Sequence, residues 1–370
     1  MRRAARWGAV LVAIGLLAAC RPPAPAAPAP SAAGDAAAPA RAAVPAPAPP
    51  PGPLTTVTVA QVTAVLYPFY IGIERGYFME QGIDVQYETF RNGSETVPLI
   101  ANGQLDVSQQ SVSLSTFNAV LRGVPIKAIF DASHTAPDQH SHALLVRKEL
   151  WDSGAVRAPV DLVGRKVAES SIPGGLGIDV DKGLRAVGHR VEEFDSVVLP
   201  FPDMPAALAN GSIDAAIAVE PSITTALKQE SAVPLRWLSE DYPGHQIAVQ
   251  VIGPNLVAKP DVTRRLAIAY IRGARDWDAA AGHGVGVDEL ARLLSTYNKL
   301  DAAVNADLLR RKGLTSIDPD GRISKESLAY DMAWYVEGGH LERPIDLDDF
   351  VDMQYADYAV AQLAAGGTGR

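Results

Sequence analysis

Apolar and polar side chains alternate over Thr56 to Val62 (TVTVAQV), the period of two expected of a half-buried strand. The next stretch, YPFYIGIERGYFMEQG, changes to helical spacing, with Pro68 at its head and Gly82 as its stop. IDVQYETF restores the strand pattern, and the same exchange of periods continues down the chain. Strands are predicted at DVSQQ, IKAIFDA, HALLVRKEL, GRKVAESS, FDSVVLP, DAAIAVEP and IAVQVIGPNLVAK. Helices are predicted between them, from about Val112 to Gly123, from the turn after Ile172 through Gly188, and from Pro221. Amphipathic helices over 261–281, 287–296 and 324–338 finish the pattern. Strands alternating with helices at this spacing predict α/β architecture with parallel sheets and ligand space outside the carboxyl ends of the strands.

One segment occurs twice. ANGQLDV (Ala101 to Val107) returns as ANGSIDA (Ala209 to Ala215), the two asparagines lying 108 positions apart. Each copy follows a proline-led apolar run and reads as helix, Asn-Gly cap, then a strand opened by an acid, Asp106 or Asp214. Two such units predict two similar lobes.

Composition places this fold in a setting. Met1 to Arg6 carries three arginines, and the apolar run from Gly8 to Ala19 is too short to span a membrane but suits a signal-peptide core. It ends in Leu17-Ala18-Ala19-Cys20, which resembles the bacterial lipobox, so residues 1–19 are expected to be a signal peptide and Cys20 the lipidated residue. Cys20 is the single cysteine of the chain, which leaves the mature protein without a thiol nucleophile, a CxxC pair or a thiolate zinc site. Residues 21–53 hold 12 of the 28 prolines and almost no large apolar side chain, so residues 20–53 are expected to be an extended tether. At about 3.1 Å per residue it would reach on the order of 100 Å. With the three leader arginines removed, 30 basic side chains face 42 acidic ones, a formal charge of −12. That balance argues against a nucleic-acid partner and leaves membrane attachment to the lipid.

The blocks YPFYIGIERGYFMEQGIDVQY, GSETVPLIANGQLDV, FNAVLRGVPIKAI, LVRKEL, DLVGRKVA and ALANGSIDAAIAVEP resemble, in that order, segments of ABC-importer substrate-binding lipoproteins. The subfamily is the one for nitrate, sulfonate and taurine, and thiamine-pyrimidine precursors, and the resemblance spans residues 56–275. It implies a two-lobed type II periplasmic-binding-protein-like fold, each lobe a mainly parallel sheet flanked by helices, joined by two crossing hinge strands. Lobe one would be residues 54–143 and 244–370, and lobe two residues 144–243. The implied function is capture of a small molecule by hinge closure, by a monomer on the extracytoplasmic face of a bacterial membrane. Its partners would be a permease and its ATPase subunits. No cofactor is implied. The alternatives are a ligand-sensing ectodomain for a signalling partner and a non-cysteine enzyme akin to the pyrimidine-synthesis relatives. No G-x-S-x-G elbow or H-E-x-x-H helix is present to support hydrolysis.

Strand ends nominate the ligand site. In lobe one they offer Tyr67, Phe69 and Tyr70 as aromatic faces, Asn92 and Gly93 in a turn, and Gln110 and Ser111 after the first repeat strand. In lobe two they offer Ser170, Ser171, Gly174, Gly175 and Glu220. The serines and glycine amides suit an anion or carbonyl at a helix N-terminus. Glu220 favours an amine, amidine or ring N–H, and the nearest basic residues in sequence, Arg91 and Lys182, are not among the nominated positions. The reading therefore leans to a neutral or cationic heterocycle over nitrate or sulfonate. His134, His140 and His142, with Asp131 and Asp138, could bind zinc or copper, but a proline-containing loop lacks regular ligand spacing. A solvated loop near the lobe crossing, with no metal, is the expectation.

Overall fold

The computed structural model describes residues 53–61, 66–90 and 93–366, all within the unit Ala46–Arg370. The leader, Cys20, nearly all of the tether and Asn92 fall outside them. Ten strands form two five-stranded sheets. The strands are β1 (Thr55–Gln61), β2 (Ile83–Thr89), β3 (Val107–Ser111), β4 (Lys127–His134), β5 (His142–Arg147), β6 (Lys166–Glu169), β7 (Asp195–Val198), β8 (Ala215–Val219), β9 (Ala232–Trp237) and β10 (Gln246–Ile252). The first nine helices are α1 (Tyr67–Glu74), α2 (Tyr77–Glu80), α3 (Gly93–Ala101), α4 (Leu114–Leu121), α5 (Lys148–Asp152), α6 (Gly175–Arg185), α7 (Met204–Ala209), α8 (Ser222–Lys228) and α9 (Leu238–Asp241). After β10 the chain is helical: α10 (Pro254–Val257), α11 (Pro260–Ala281), α12 (Val287–Asn298), α13 (Ala302–Arg310), α14 (Lys325–Glu337), α15 (Leu347–Phe350) and α16 (Gln354–Gly366). No helix among the described residues is long and apolar enough to cross a membrane.

The strand orders are β2-β1-β3-β10-β4 and β7-β6-β8-β5-β9, the same topology twice. In each, the first three strands pair in parallel, and a reversed strand, β10 or β5, pairs antiparallel with a neighbour on either side. The sheets are therefore mixed. The reversed strand is each time the first one laid down after the chain passes from one sheet to the other, through 135–141 and again through 242–245.

The sequence repeat explains the matching cores of the two sheets. Gly103 (φ 77°) and Gly211 (φ 74°) take the left-handed conformation that ends α3 and α7. Asn102 Oδ1 accepts from the Gln104 amide at 3.2 Å, and Asn210 Oδ1 accepts from the Ser212 amide at 2.9 Å. Asp106 Oδ2 then accepts from the amide of Thr58 in β1 at 2.9 Å, and Asp214 Oδ2 from the amide of Lys166 in β6 at 3.2 Å. Each acid thus ties the start of its central strand to the parallel neighbour. The carboxyl ends of those strands, Ser111 and Val219, are left facing the space between the sheets.

Several elements escape the periodicity. β9 contains Pro234, which removes a ladder donor and disqualifies the segment as a central strand; the structure uses it at a sheet edge. The helix predicted from Pro68 to Gly82 divides at Gly76 into α1 and α2. α13, α15 and α16 were not predicted at all. Ala306 and Leu309 of α13 pack into the same apolar core as Trp277 of α11, on the side of the first sheet.

Candidate ligand-binding cleft

A cavity of about 810 Å³ opens between the two sheets, with both crossings on its wall. The first sheet supplies Gln110 and Ser111 at the end of β3, and the second supplies Ser170, Ser171, Gly174, Gly175 and Glu220 beyond β6 and β8. Parallel strands deliver their carboxyl ends and following loops to one place, which brings these seven predicted residues together. Tyr67 also lines the cavity; it is stacked on Trp277 with ring centroids 3.9 Å apart, and burial raises its phenol above the ordinary range.

Two predicted aromatics belong to the core instead. Phe69 is buried between Phe78 and Tyr270. Tyr70 is buried against Tyr297, with centroids 4.0 Å apart. On an eight-residue helix packed against α11 and α12, residues two and three places after Tyr67 turn away from the cleft. Gly93 opens α3. Gln110 is less available than its position suggests, because its Nε2 already donates to Thr96 Oγ1 and Ser108 Oγ, both at 2.8 Å.

The charge arrangement corrects the expectation for Glu220. Its Oε1 lies 2.8 Å from Arg311 Nη1, just beyond α13, and it also accepts from the Thr224 amide and hydroxyl, each at 3.1 Å. A base therefore reaches the cleft from a part of the chain that strand-end reasoning never considered. The Glu220 charge is neutralised by the protein and does not by itself require a cationic ligand. Lys182 points elsewhere, 3.6 Å over the Tyr242 ring and 4.4 Å over Tyr330.

Two histidines, His245 in the second crossing and His142 at the start of β5, are in opposite states. His245, fully buried, is bracketed by Asp179 from α6 at 2.9 Å and Asp331 from α14 at 3.0 Å. Burial opposes its protonation, but the two carboxylates outweigh it and push its pKa up to about 10. His142 has no such partner. Burial first, and the charge of His245 second, pull it down to about 4, so it is neutral, with Nδ1 2.7 Å from Ser141 Oγ.

The histidine-rich loop is not solvated as expected. Thr135, Gln139 and Ser141 are buried, since this segment is the first crossing. His134 bonds Asp131 at 2.6 Å, His140 packs on Trp237 with centroids 4.4 Å apart, and His142 bonds Ser141. Their side chains engage separate partners, and no group of metal-ligating side chains occurs among the described residues.

Other lining residues were missed. Glu169 is the last residue of β6, one place before the predicted Ser170, and a window one residue wider would have found it. Phe201 directly follows the predicted strand FDSVVLP and was open to the same strand-end rule, whereas Asn298 and Thr315 sit on a helix and a connection that carry no strand-end signal.

This geometry, two five-stranded mixed sheets of one topology with a cleft at the crossings, is that of a type II periplasmic-binding-protein-like fold. The solved structures similar to it include the periplasmic aliphatic sulphonate binding protein SsuA from Escherichia coli (TM-score 0.64, 16% identity, covering 80% of this chain and 92% of that one). They also include the periplasmic nitrate-binding protein NrtA from Synechocystis PCC 6803 (TM-score 0.61, 16% identity, covering 84% and 89%). The chain belongs to the NMT1/THI5-like family, whose model matches residues 63–277. It is 26% identical over 161 residues to the 4-amino-5-hydroxymethyl-2-methylpyrimidine phosphate synthase THI13 of Saccharomyces cerevisiae, covering 43% of this chain and 44% of that protein.

Proposed function

We propose that the protein is an extracytoplasmic solute-binding component of an ABC importer, anchored through a lipid on Cys20, which captures one small polar molecule between its sheets and does not transform it. The observation that carries this reading is the cleft itself: about 810 Å³, bounded by both sheets and both crossings, with a largely apolar wall that includes Tyr67, Phe201, Ile217 and Ile247, interrupted by serine and threonine hydroxyls and amide side chains. Such walls bury the apolar body of a ligand and fix its orientation through a few polar groups when the sheets close. Binding needs no nucleophile, and the sole cysteine of the chain is at position 20, outside the described residues. The captured solute would pass to a permease driven by ATPase subunits, the binding component acting as a monomer. The residues proposed to touch the ligand are Tyr67, Ser111, Ser170, Ser171, Gly174 and Gly175, with Gln110 and Glu220 framing them.

A synthase reading has one observation in its favour, the partial identity to THI13. Binding is tested by screening the purified chain in thermal melts against pyrimidines, flavins, polyamines, amino-sulfonates and nitrate. At a hundredfold excess over its dissociation constant, a bound solute stabilises by about 2.7 kcal/mol. One class is expected to raise the melting temperature clearly; no response in any class contradicts the binding reading.

A further inference from the structure

Charges around the cleft cancel with one exception. Glu220 is matched by Arg311. Asp179 and Asp331 face His245, with Lys182 close enough to feel both carboxylates. Glu169 has no such counterpart. It is only 6% exposed and lines the cavity, and among the described residues its carboxylate accepts a single side-chain hydrogen bond, from Ser196 Oγ at a long 3.4 Å. No lysine, arginine or histidine among the described residues pairs with it.

The backbone is shaped around this group. A Cβ on Gly177 would lie 3.0 Å from Glu169 Oε2, and one on Gly174 would lie 2.6 Å from the Ser171 carbonyl and 3.0 Å from the same Oε2, so the first turn of α6 packs against the carboxylate in its present position with glycine at both places. On the other side of that turn, a Cβ on Gly175 would lie 3.3 Å from the carbonyl of Val112, a residue beyond the end of β3 in the first sheet. Glu169 therefore sits where the two halves of the cleft meet.

Resting on the reading of this cleft as a solute site, we propose that Glu169 is its specificity-determining residue and selects a ligand bearing a cationic nitrogen group, such as an amidinium or a protonated amino-heterocycle. An uncompensated buried carboxylate is costly to ligand-free protein and is offset by a ligand that brings the missing positive charge. The groups facing it do not relieve the cost. Burial is the largest influence on it and Glu192 adds repulsion, together pushing its pKa up to about 7 against the weaker help of Ser196, while Tyr335 of α14 is itself held neutral. The positive end of α6 acts in the opposite sense.

Two arms test the proposal on the purified chain. The first needs no solute. Because the folded-state pKa of Glu169 is raised, its ionisation penalises folding as pH rises from the unfolded value, about 4.5, through about 7. Glu169→Gln is expected to melt several degrees above the parent at pH 8 and level with it near pH 4.5; parallel curves across that range overturn the assignment. The second arm uses a series of benzene derivatives that differ in charge, benzamidinium, benzamide and benzenesulfonate, chosen because Tyr67 and Phe201 offer aromatic walls. Benzamidinium is expected to raise the melting temperature of the parent most, more at pH 8 than at pH 5.5, and to lose this effect in Glu169→Gln. A larger effect of benzenesulfonate, a benzamidinium effect that survives the substitution, or no effect of any of the three overturns it. Failure of the broad solute screen counts instead against the binding reading, and leaves the first arm intact.

Discussion

Replacing His245 by leucine should destabilise the protein by about 3–5 kcal/mol, because it leaves two buried aspartates without their hydrogen-bonded partner and with only the more distant Lys182 as counter-charge. Asp179 and Asp331 come from different helices, α6 beside the second sheet and α14 near the chain's end, and the imidazolium between them stands at the second crossing. The effect has a defined pH dependence. A histidine whose folded-state pKa is raised to about 10 contributes stability fully below its unfolded value, about 6.5, and loses it as pH rises through 10. The gap between parent and His245→Leu in denaturant titrations should therefore be widest near pH 6 and should close toward pH 10. A gap that does not change with pH would mean that His245 acts through packing on Tyr242 and not through charge.

Arg311→Leu should weaken solute affinity and destabilise the closed arrangement, by about 2 kcal/mol. The figure sits at the low end for a broken buried pair because Arg311 is 30% exposed, although Glu220 is only 4% exposed. Arg311 follows α13, which packs with the helices over the first sheet, whereas Glu220 follows β8 in the second, so the pair spans the cleft. Adding Glu220→Gln to Arg311→Leu removes the orphaned charge and should recover most of the loss. Simple additivity of the two substitutions in melting and affinity measurements would show that the groups are not coupled.

How far the sequence led can be judged at particular residues. The doubled ANG-x-x-D segment was legible because both copies use the same local devices, a left-handed glycine and an acid reaching a neighbouring amide, which depend on residues a few places apart. Ser111, Ser170, Ser171, Gly174, Gly175 and Glu220 followed from the rule that ligands sit beyond strand carboxyl ends, and the structure does gather them around one cavity. What failed depends on contacts distant in sequence. Nothing near Glu220 announces Arg311, 91 positions away. Phe69 and Tyr70 look as able to face a ligand as Tyr67, and only the packing of α1 against α11 and α12 separates them. His134, His140 and His142 cluster in sequence, yet a crossing segment passes between two sheets and hands each ring to a different neighbour.

The central claim is that the cleft holds one small molecule and returns it unchanged. It is tested most directly by native mass spectrometry of the purified chain with whichever solute raises its melting temperature, followed by release and mass analysis of that solute. The account predicts a complex of one chain and one solute, and a recovered solute of unaltered mass after prolonged incubation. Conversion of the solute to a product of different mass would contradict it and return the chain to the enzymes of its family.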